Sequence, residues 1–217
     1  MAITCFFGKT ESGKSFLSEK KSKTYERVVV YDNAHCFKEG DIFTDLSIDN
    51  LQRIFEKYHN RPNFRIIFRP PMNLNEQVGA NRVGAFVWAL GAFYKDMEKQ
   101  AKKKVKRFLF VVDEADKVSS YSKDSVFYRC VTKGRHFNFD TYGIAQGATK
   151  LPNYWRENSS EFCIFQLPES QELKTILGKA SSELRGLEKY SYICSRDNSN
   201  EVEIISKDQK VIKTVRM

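Results

Sequence analysis

Runs of consecutive apolar, β-branched and aromatic residues recur along this chain, and amphipathic stretches separate them. Ile3–Phe7, Arg27–Tyr31 (RVVVY), Phe64–Phe68 (FRIIF), Phe108–Val112 (FLFVV), Thr141–Ala145 and Phe162–Leu167 predict strands. Being apolar at consecutive positions rather than at alternate ones, they read as parallel strands covered on both faces. The intervening segments predict helices. Lys14–Lys21 follows the first strand. Leu51, Ile54, Phe55 and Tyr58 share one face of a helix that Ser47 or Asp49 can cap. Val83, Phe86, Val87, Leu90, Phe93, Tyr94 and Met97 mark a longer helix whose far end is the basic run Gln100–Arg107, where cations suit the helix dipole. Ser122–Lys133 and Ser170–Leu187 complete the set, and Arg69–Arg82, with Pro70 and Pro71, is the least regular internal segment.

Alternating strands and helices predict an α/β domain with a mostly parallel central sheet and helices on both of its faces. The pattern changes after residue 188. Tyr190–Ser195, Val202–Ile205 and Val211–Val215 read as short antiparallel strands, the first two joined by a turn at Arg196-Asp197-Asn198-Ser199-Asn200. The expected organisation is a core over 1–188 with a β-rich extension, 189–217, packed on it.

The chain has 217 residues, of which 41% are hydrophobic and 13% aromatic, enough for a real core and incompatible with a wholly disordered chain. Lys and Arg number 36 against 27 Asp and Glu, a net charge of +9 that favours polyanionic partners. The five cysteines form no CxxC pair, so buried free thiols in a reducing compartment are expected rather than a disulfide framework. His35, His59 and His136 have no metal-ligand spacing. The first residues lack the layout of a signal peptide, and the longest apolar stretch, near Ala85–Tyr94, is too short to span a bilayer and is interrupted by Gly91. A soluble intracellular chain is the expectation.

Candidate chemistry begins at Gly8-Lys9-Thr10-Glu11-Ser12-Gly13-Lys14-Ser15, which fits G-x-x-x-x-G-K-[ST] between a strand and a helix. Such a loop turns backbone N–H groups and a helix N-terminus toward phosphates. Lys14 would reach the terminal phosphates, Ser15 would offer its hydroxyl to Mg²⁺, and Gly13 would allow close backbone approach. Glu11 stands where many such loops have glycine. Phe108–Val112 then ends in Asp113-Glu114, a carboxylate for Mg²⁺ followed by a general base for water. The segment Asp140–Gln146 is a strand ending in an amide. Should that strand lie between the first and fourth, Gln146 falls beside the terminal phosphate. Arg135, just before it, is a candidate finger reaching into a neighbouring subunit, with Arg129, Arg69 and Arg65 as rivals.

These elements in this order resemble the HerA/FtsK superfamily of P-loop motor ATPases, and more narrowly the genome-packaging ATPases of internal-membrane, double-jelly-roll phages and viruses. The more discriminating half is Gly134-Arg135-His136, a strand, Gln146, Leu151-Pro152, a second strand and Leu167-Pro168. The resemblance spans roughly residues 2–185. It implies a P-loop NTPase core of the ASCE type, with Lys14 and Ser15 as the Walker A pair, Asp113 and Glu114 as the Walker B pair, Gln146 as polar sensor and Arg135 as trans-acting finger. It further implies ATP and Mg²⁺, a homo-oligomeric ring, usually a hexamer, threaded by double-stranded DNA, and work in the host cytoplasm or at a packaging vertex beside capsid or portal proteins.

The positive charge agrees with a DNA channel that tracks the backbone without reading bases. Lys99–Arg107 offers one contact surface, though it also reads as a solvated helix end, and Lys20, Lys21 and Lys23 offer a second. Two alternatives stand beside this reading: a Zot-like phage morphogenesis NTPase acting on export at a membrane, and a nucleotide-controlled assembly scaffold.

Overall fold

The computed structural model describes residues 3–119, 122–168, 170–196 and 199–217. Its strands are β1 (Ile3–Phe7), β2 (Arg27–Tyr31), β3 (Asp41–Phe43), β4 (Phe64–Phe68), β5 (Phe108–Val112), β6 (Phe139–Ala145), β7 (Glu161–Phe165), β8 (Tyr192–Arg196), β9 (Glu201–Ile205) and β10 (Val211–Arg216). Its helices are α1 (Lys14–Ser22), α2 (Ile48–Tyr58), α3 (Glu76–Ala101), α4 (Ala115–Val118), α5 (Val126–Lys133), α6 (Asn153–Asn158) and α7 (Gln171–Leu177). All ten strands belong to one sheet in the order β10-β9-β8-β7-β1-β6-β5-β2-β4-β3. From β3 to β7 every pairing is parallel, and from β7 through β8 and β9 to β10 every pairing is antiparallel. The fold class is the mixed α/β one the sequence predicts, with small antiparallel strands at the C-terminus.

Both sheet faces are apolar for the reason the runs suggest. Along β5, Phe108, Phe110 and Val112 point into the larger core, under α2, α3, α5, α6 and α7. Leu109 and Val111 point the other way, into a smaller core closed by Leu17 of α1 and by Phe37. The longest helix, α3, carries Gly91 opposite the turn that precedes β6. A Cβ there would stand 2.5 Å from the Phe137 carbonyl oxygen, so Gly91 sets how closely α3 can pack rather than breaking it. Among the described residues no helix is long and apolar enough to cross a membrane.

Several boundaries differ from expectation. The second half of Arg69–Arg82 is helical, because Asn75 caps α3 by accepting from the Gln77 and Val78 N–H groups at 3.0 and 3.2 Å. The far end of α3 stops at Ala101, and Lys102 is left-handed at φ 49, so Lys102–Arg107 is a loop leading into β5, not a helix terminus. Ser47, not Asp49, caps α2, and Ser125 starts α5 later than Ser122. The helix expected over Ser170–Leu187 gives way at Gly178, φ 55, to a run of 3₁₀ turns through Gly186. The short edge strand β3 has no counterpart among the expected strands. Asp197 and Asn198 of the expected turn lie outside the described residues. All five cysteines are free, but Cys36 is exposed rather than buried.

Candidate active site

The chemistry gathers at the carboxyl ends of neighbouring parallel strands, where a sheet of this kind opens a crevice. β6 lies between β1 and β5, pairing Phe7 with Ala145 on one side and Val112 with Gly143 on the other. The condition for placing Gln146 is therefore met. Thr10, Glu11, Lys14 and Ser15 from the loop after β1, Asp113, Glu114 and Asp116 after β5, and Gln146 after β6 line one cleft of about 120 Å³. Gly8, Lys9, Ser12 and Gly13 complete the loop behind it.

The loop has the backbone its residues dictate. Gly13 is left-handed at φ 102, a conformation other residues rarely adopt, and α1 starts at the next residue. Glu11 is also left-handed, at φ 61, without the glycine that would make this free. Lys14 is buried and folds back, donating from Nζ to the Lys9 carbonyl at 2.7 Å. Burial lowers its proton affinity, and the carboxylates of Asp113, Asp116 and Glu114 act against that. The Ser12 hydroxyl is buried without a partner.

Asp113 is the most perturbed acid of the cleft. Burial, then the charges of Asp32 and Glu114, push its carboxyl up to about 7, against two restraints, the Ala34 N–H at 3.3 Å and the Glu114 N–H. Glu114 opens α4 in a left-handed conformation, φ 49. Both of its oxygens are engaged: Asn33 Nδ2 donates to Oε2 at 2.8 Å, and Lys117 Nζ donates to Oε1 at 2.7 Å. Gln146 Oε1 accepts from Lys150 at 3.5 Å.

Hard oxygen donors, an acid whose proton affinity is raised by burial and by neighbouring carboxylates, an orphaned hydroxyl and a buried ammonium form a set that a magnesium–triphosphate would complete. The residues present therefore fit both groups.

Some participants escaped the sequence reading. Asp32 and Asn33 follow β2 as Asp113 and Glu114 follow β5, and this repeated acidic strand end was the available signal. Asp32 is fully buried, held by Arg69 Nε at 2.9 Å and by the Cys36 N–H at 2.8 Å. Asp116 lines the cleft with Oδ1 buried and unpartnered, and burial raises its proton affinity.

Arg135 is not in this cleft. It is exposed in the 3₁₀ turn before β6, at the opposite end of that strand, roughly 20 Å away by strand rise. There it joins Lys95, Lys102, Lys103, Lys104 and His136 around a basic depression of about 450 Å³. Of its rivals, Arg69 is tied to Asp32 and Arg65 to Ser22 Oγ within the chain, whereas Arg129 is exposed.

No protein-family model matches the sequence, and no curated protein does. Solved structures do. The genome packaging NTPase B204 from Sulfolobus turreted icosahedral virus 2, in complex with AMP, superposes with a TM-score of 0.65 at 17% identity over 98% of each chain. The same NTPase with ATP-gammaS gives 0.62 at 19% identity, again over 98% of each chain. VirB4 of Thermoanaerobacter pseudethanolicus gives 0.58 at 11% identity, over 94% of this chain and 88% of the other. The strand order, the loop between β1 and α1 and these superpositions agree: the chain has the P-loop NTPase fold that these structures share.

Proposed function

We propose that the chain hydrolyses ATP to drive double-stranded DNA, as the genome-packaging motor of a virus. The observation that carries the hydrolytic half is the meeting of Lys14, Ser15, Asp113, Glu114 and Gln146 around one cleft. The packaging half draws support from the likeness to a viral genome packaging NTPase over nearly the whole chain.

In this reading the loop Gly8–Ser15 wraps the phosphates, and Lys14 leaves the Lys9 carbonyl to neutralise charge on the terminal one. Ser15 and Asp113 would hold Mg²⁺, which would supply charge stabilisation at the phosphate oxygens. Glu114 takes a proton from water as the water oxygen bonds to the terminal phosphorus, and the bond to the bridging oxygen breaks. The products are ADP and inorganic phosphate. Gln146 orients water and reports whether the terminal phosphate is present. A cleft complete but for a cation near the leaving group suits a ring of identical subunits, a hexamer in the resemblance, in which Arg135 of one subunit serves the next. The basic surface around Lys102–Lys104 follows the DNA backbone without reading bases.

The test is ATP turnover and oligomer mass measured with and without duplex DNA across a salt series. DNA stimulation that fades with salt, together with Glu114→Gln binding ATP but turning over about a hundredfold more slowly, is the expected result. Turnover indifferent to DNA removes the motor reading, and an unchanged rate in Glu114→Gln removes the base.

A further inference from the structure

Two sulfurs and a carboxylate meet on the smaller-core side of the sheet. Glu161 and Cys163 are two apart on β7, so both side chains leave the same face of the strand. Cys194 of β8 is the antiparallel partner of Cys163, which sets the two thiols opposite each other in that core. Among the described residues these three form a group whose ligand atoms, a Glu161 carboxylate oxygen, Cys163 Sγ and Cys194 Sγ, all lie within 4.8 Å of one another. None of the three lines the cleft that holds Lys14 and Asp113. The cysteines have no CxxC spacing because strand register, not local sequence, brings them together.

The group already holds a cation. Lys21 Nζ, from the last turn of α1, donates to Glu161 Oε2 at 2.7 Å and to Cys163 Sγ at 3.7 Å. Burial lowers the proton affinity of Lys21, yet the pull of Cys163, Glu161 and Cys194 raises it on balance. Both thiols are buried, whereas the Lys21 side chain is 27% exposed and can swing out to water on its flexible stem. An ammonium set among two sulfurs and an oxygen marks where a metal ion would stand.

Glu161 is oriented as a metal ligand needs to be. Thr4 Oγ1 donates to Oε2 at 3.1 Å, and Arg196 Nε lies 3.5 Å from Oε1. Donors behind a carboxylate fix its angle. The guanidinium also offsets the charge that two thiolates and a carboxylate would carry around a divalent ion. Cys194 Sγ stands 3.5 Å from Glu161 Oε1, close to the ligand–ligand edge of a tetrahedral site, which is about 3.4–3.8 Å for metal bonds of about 2.0–2.3 Å.

We propose that Glu161, Cys163 and Cys194 form a binding site for a thiophilic divalent cation, Zn²⁺ by its ligand set, with Lys21 as the displaceable stand-in. The soft sulfurs select Zn²⁺ over Mg²⁺. On binding, each sulfur bonds to the metal and passes its proton to water, Glu161 supplies one oxygen, and Lys21 moves into solvent. No electron changes hands. The ion would fasten β8, the first of the C-terminal antiparallel strands, to β7.

The experiment is titration of the full chain, fully reduced and in excess Mg²⁺, with Co²⁺ as a spectroscopic substitute and then with Zn²⁺ as competitor. One Co²⁺ per chain should bring up a sulfur-to-cobalt charge-transfer band, and Zn²⁺ should abolish it. Zn²⁺ at about a hundred times its dissociation constant should raise the melting temperature by about 5–10 °C. Cys163→Ser and Cys194→Ser should each weaken binding at least about a hundredfold, and Cys36→Ser, which removes the exposed thiol, should leave it within about twofold. Lys21→Met should bind about tenfold more tightly, a gain that loss of fold cannot mimic so long as Zn²⁺ also raises that variant's melting temperature. The site is overturned if no charge-transfer band forms, if the band follows Cys36 rather than Cys163 and Cys194, if Lys21→Met binds no more tightly, or if Zn²⁺ fails to raise the melting temperature, as happens when the thiols of the unfolded chain are the ligands.

Discussion

Asn33 Nδ2 lies 2.8 Å from Glu114 Oε2, so the second residue after β2 holds the carboxylate proposed to activate water. With Lys117 on the other oxygen at 2.7 Å, the carboxylate is restrained through both of its oxygens. Two donors on the carboxylate stabilise its charged form and so weaken it as a base, and a hydrogen bond to a charged group is worth about 1.5–3 kcal/mol. Asn33→Ala should therefore raise DNA-free turnover about tenfold, with a smaller change in the DNA-stimulated rate. A steady-state assay of both rates checks this, and equal losses in the two would refute the restraint.

Asp113 gives a pH dependence with a definite sign. Its carboxyl stands at about 7 in the folded chain, against 3.8 for a free aspartate. Between these values the native state binds the extra proton, so stability falls as pH rises from about 4 to about 7, and the deficit persists above that. Asp113→Asn, measured in chelator without nucleotide, should melt about 5 °C above wild type at pH 8 and close to it at pH 4. A constant difference across that range would show that burial and the charges of Asp32 and Glu114 do not act as described.

Gly91 permits a test of packing. A methyl at its position meets the Phe137 carbonyl at 2.5 Å, and the obstacle is backbone, which cannot step aside as a side chain can. The gain of about 1 kcal/mol in helix propensity is outweighed, so Gly91→Ala should destabilise the protein by about 1–2 kcal/mol in urea melts. Gly186→Ala, with nothing within 4 Å, is the control and should be near neutral.

Arg135 and the acidic cleft occupy opposite ends of one strand, so they can meet only between subunits. Arg135→Ala and Lys14→Ala proteins should each be almost inactive alone, yet recover about a quarter of wild-type turnover when mixed in equal amounts, since some mixed interfaces contain neither defect. No recovery, in mixtures verified to exchange subunits, would transfer the finger to Arg129.

The sequence made the central part of this site legible because a phosphate-binding loop and an acid-ended apolar strand require particular residues at fixed spacings. Gln146 was reachable only conditionally, since the strand order that brings β6 between β1 and β5 is a tertiary fact. Asn33 and Asp116 stayed hidden for a related reason: their importance depends on which strand ends are neighbours. Helix limits failed where a single side chain decides them. Asn75 extends α3 backward into a segment that two prolines mark as loop, and left-handed Lys102 ends it where the basic run would continue it. β3 is three residues long and exposed on the sheet edge, so it carries too little apolar pattern to announce itself.

β6 is bonded along its length to β1 and β5, buried at every position, and capped by Gln146 at one end and the Arg135 turn at the other. A strand so clamped keeps its two ends at a fixed separation. In the proposed ring it would hold one subunit's phosphate-facing amide and the guanidinium offered to its neighbour in constant register, so that neither can shift without the sheet.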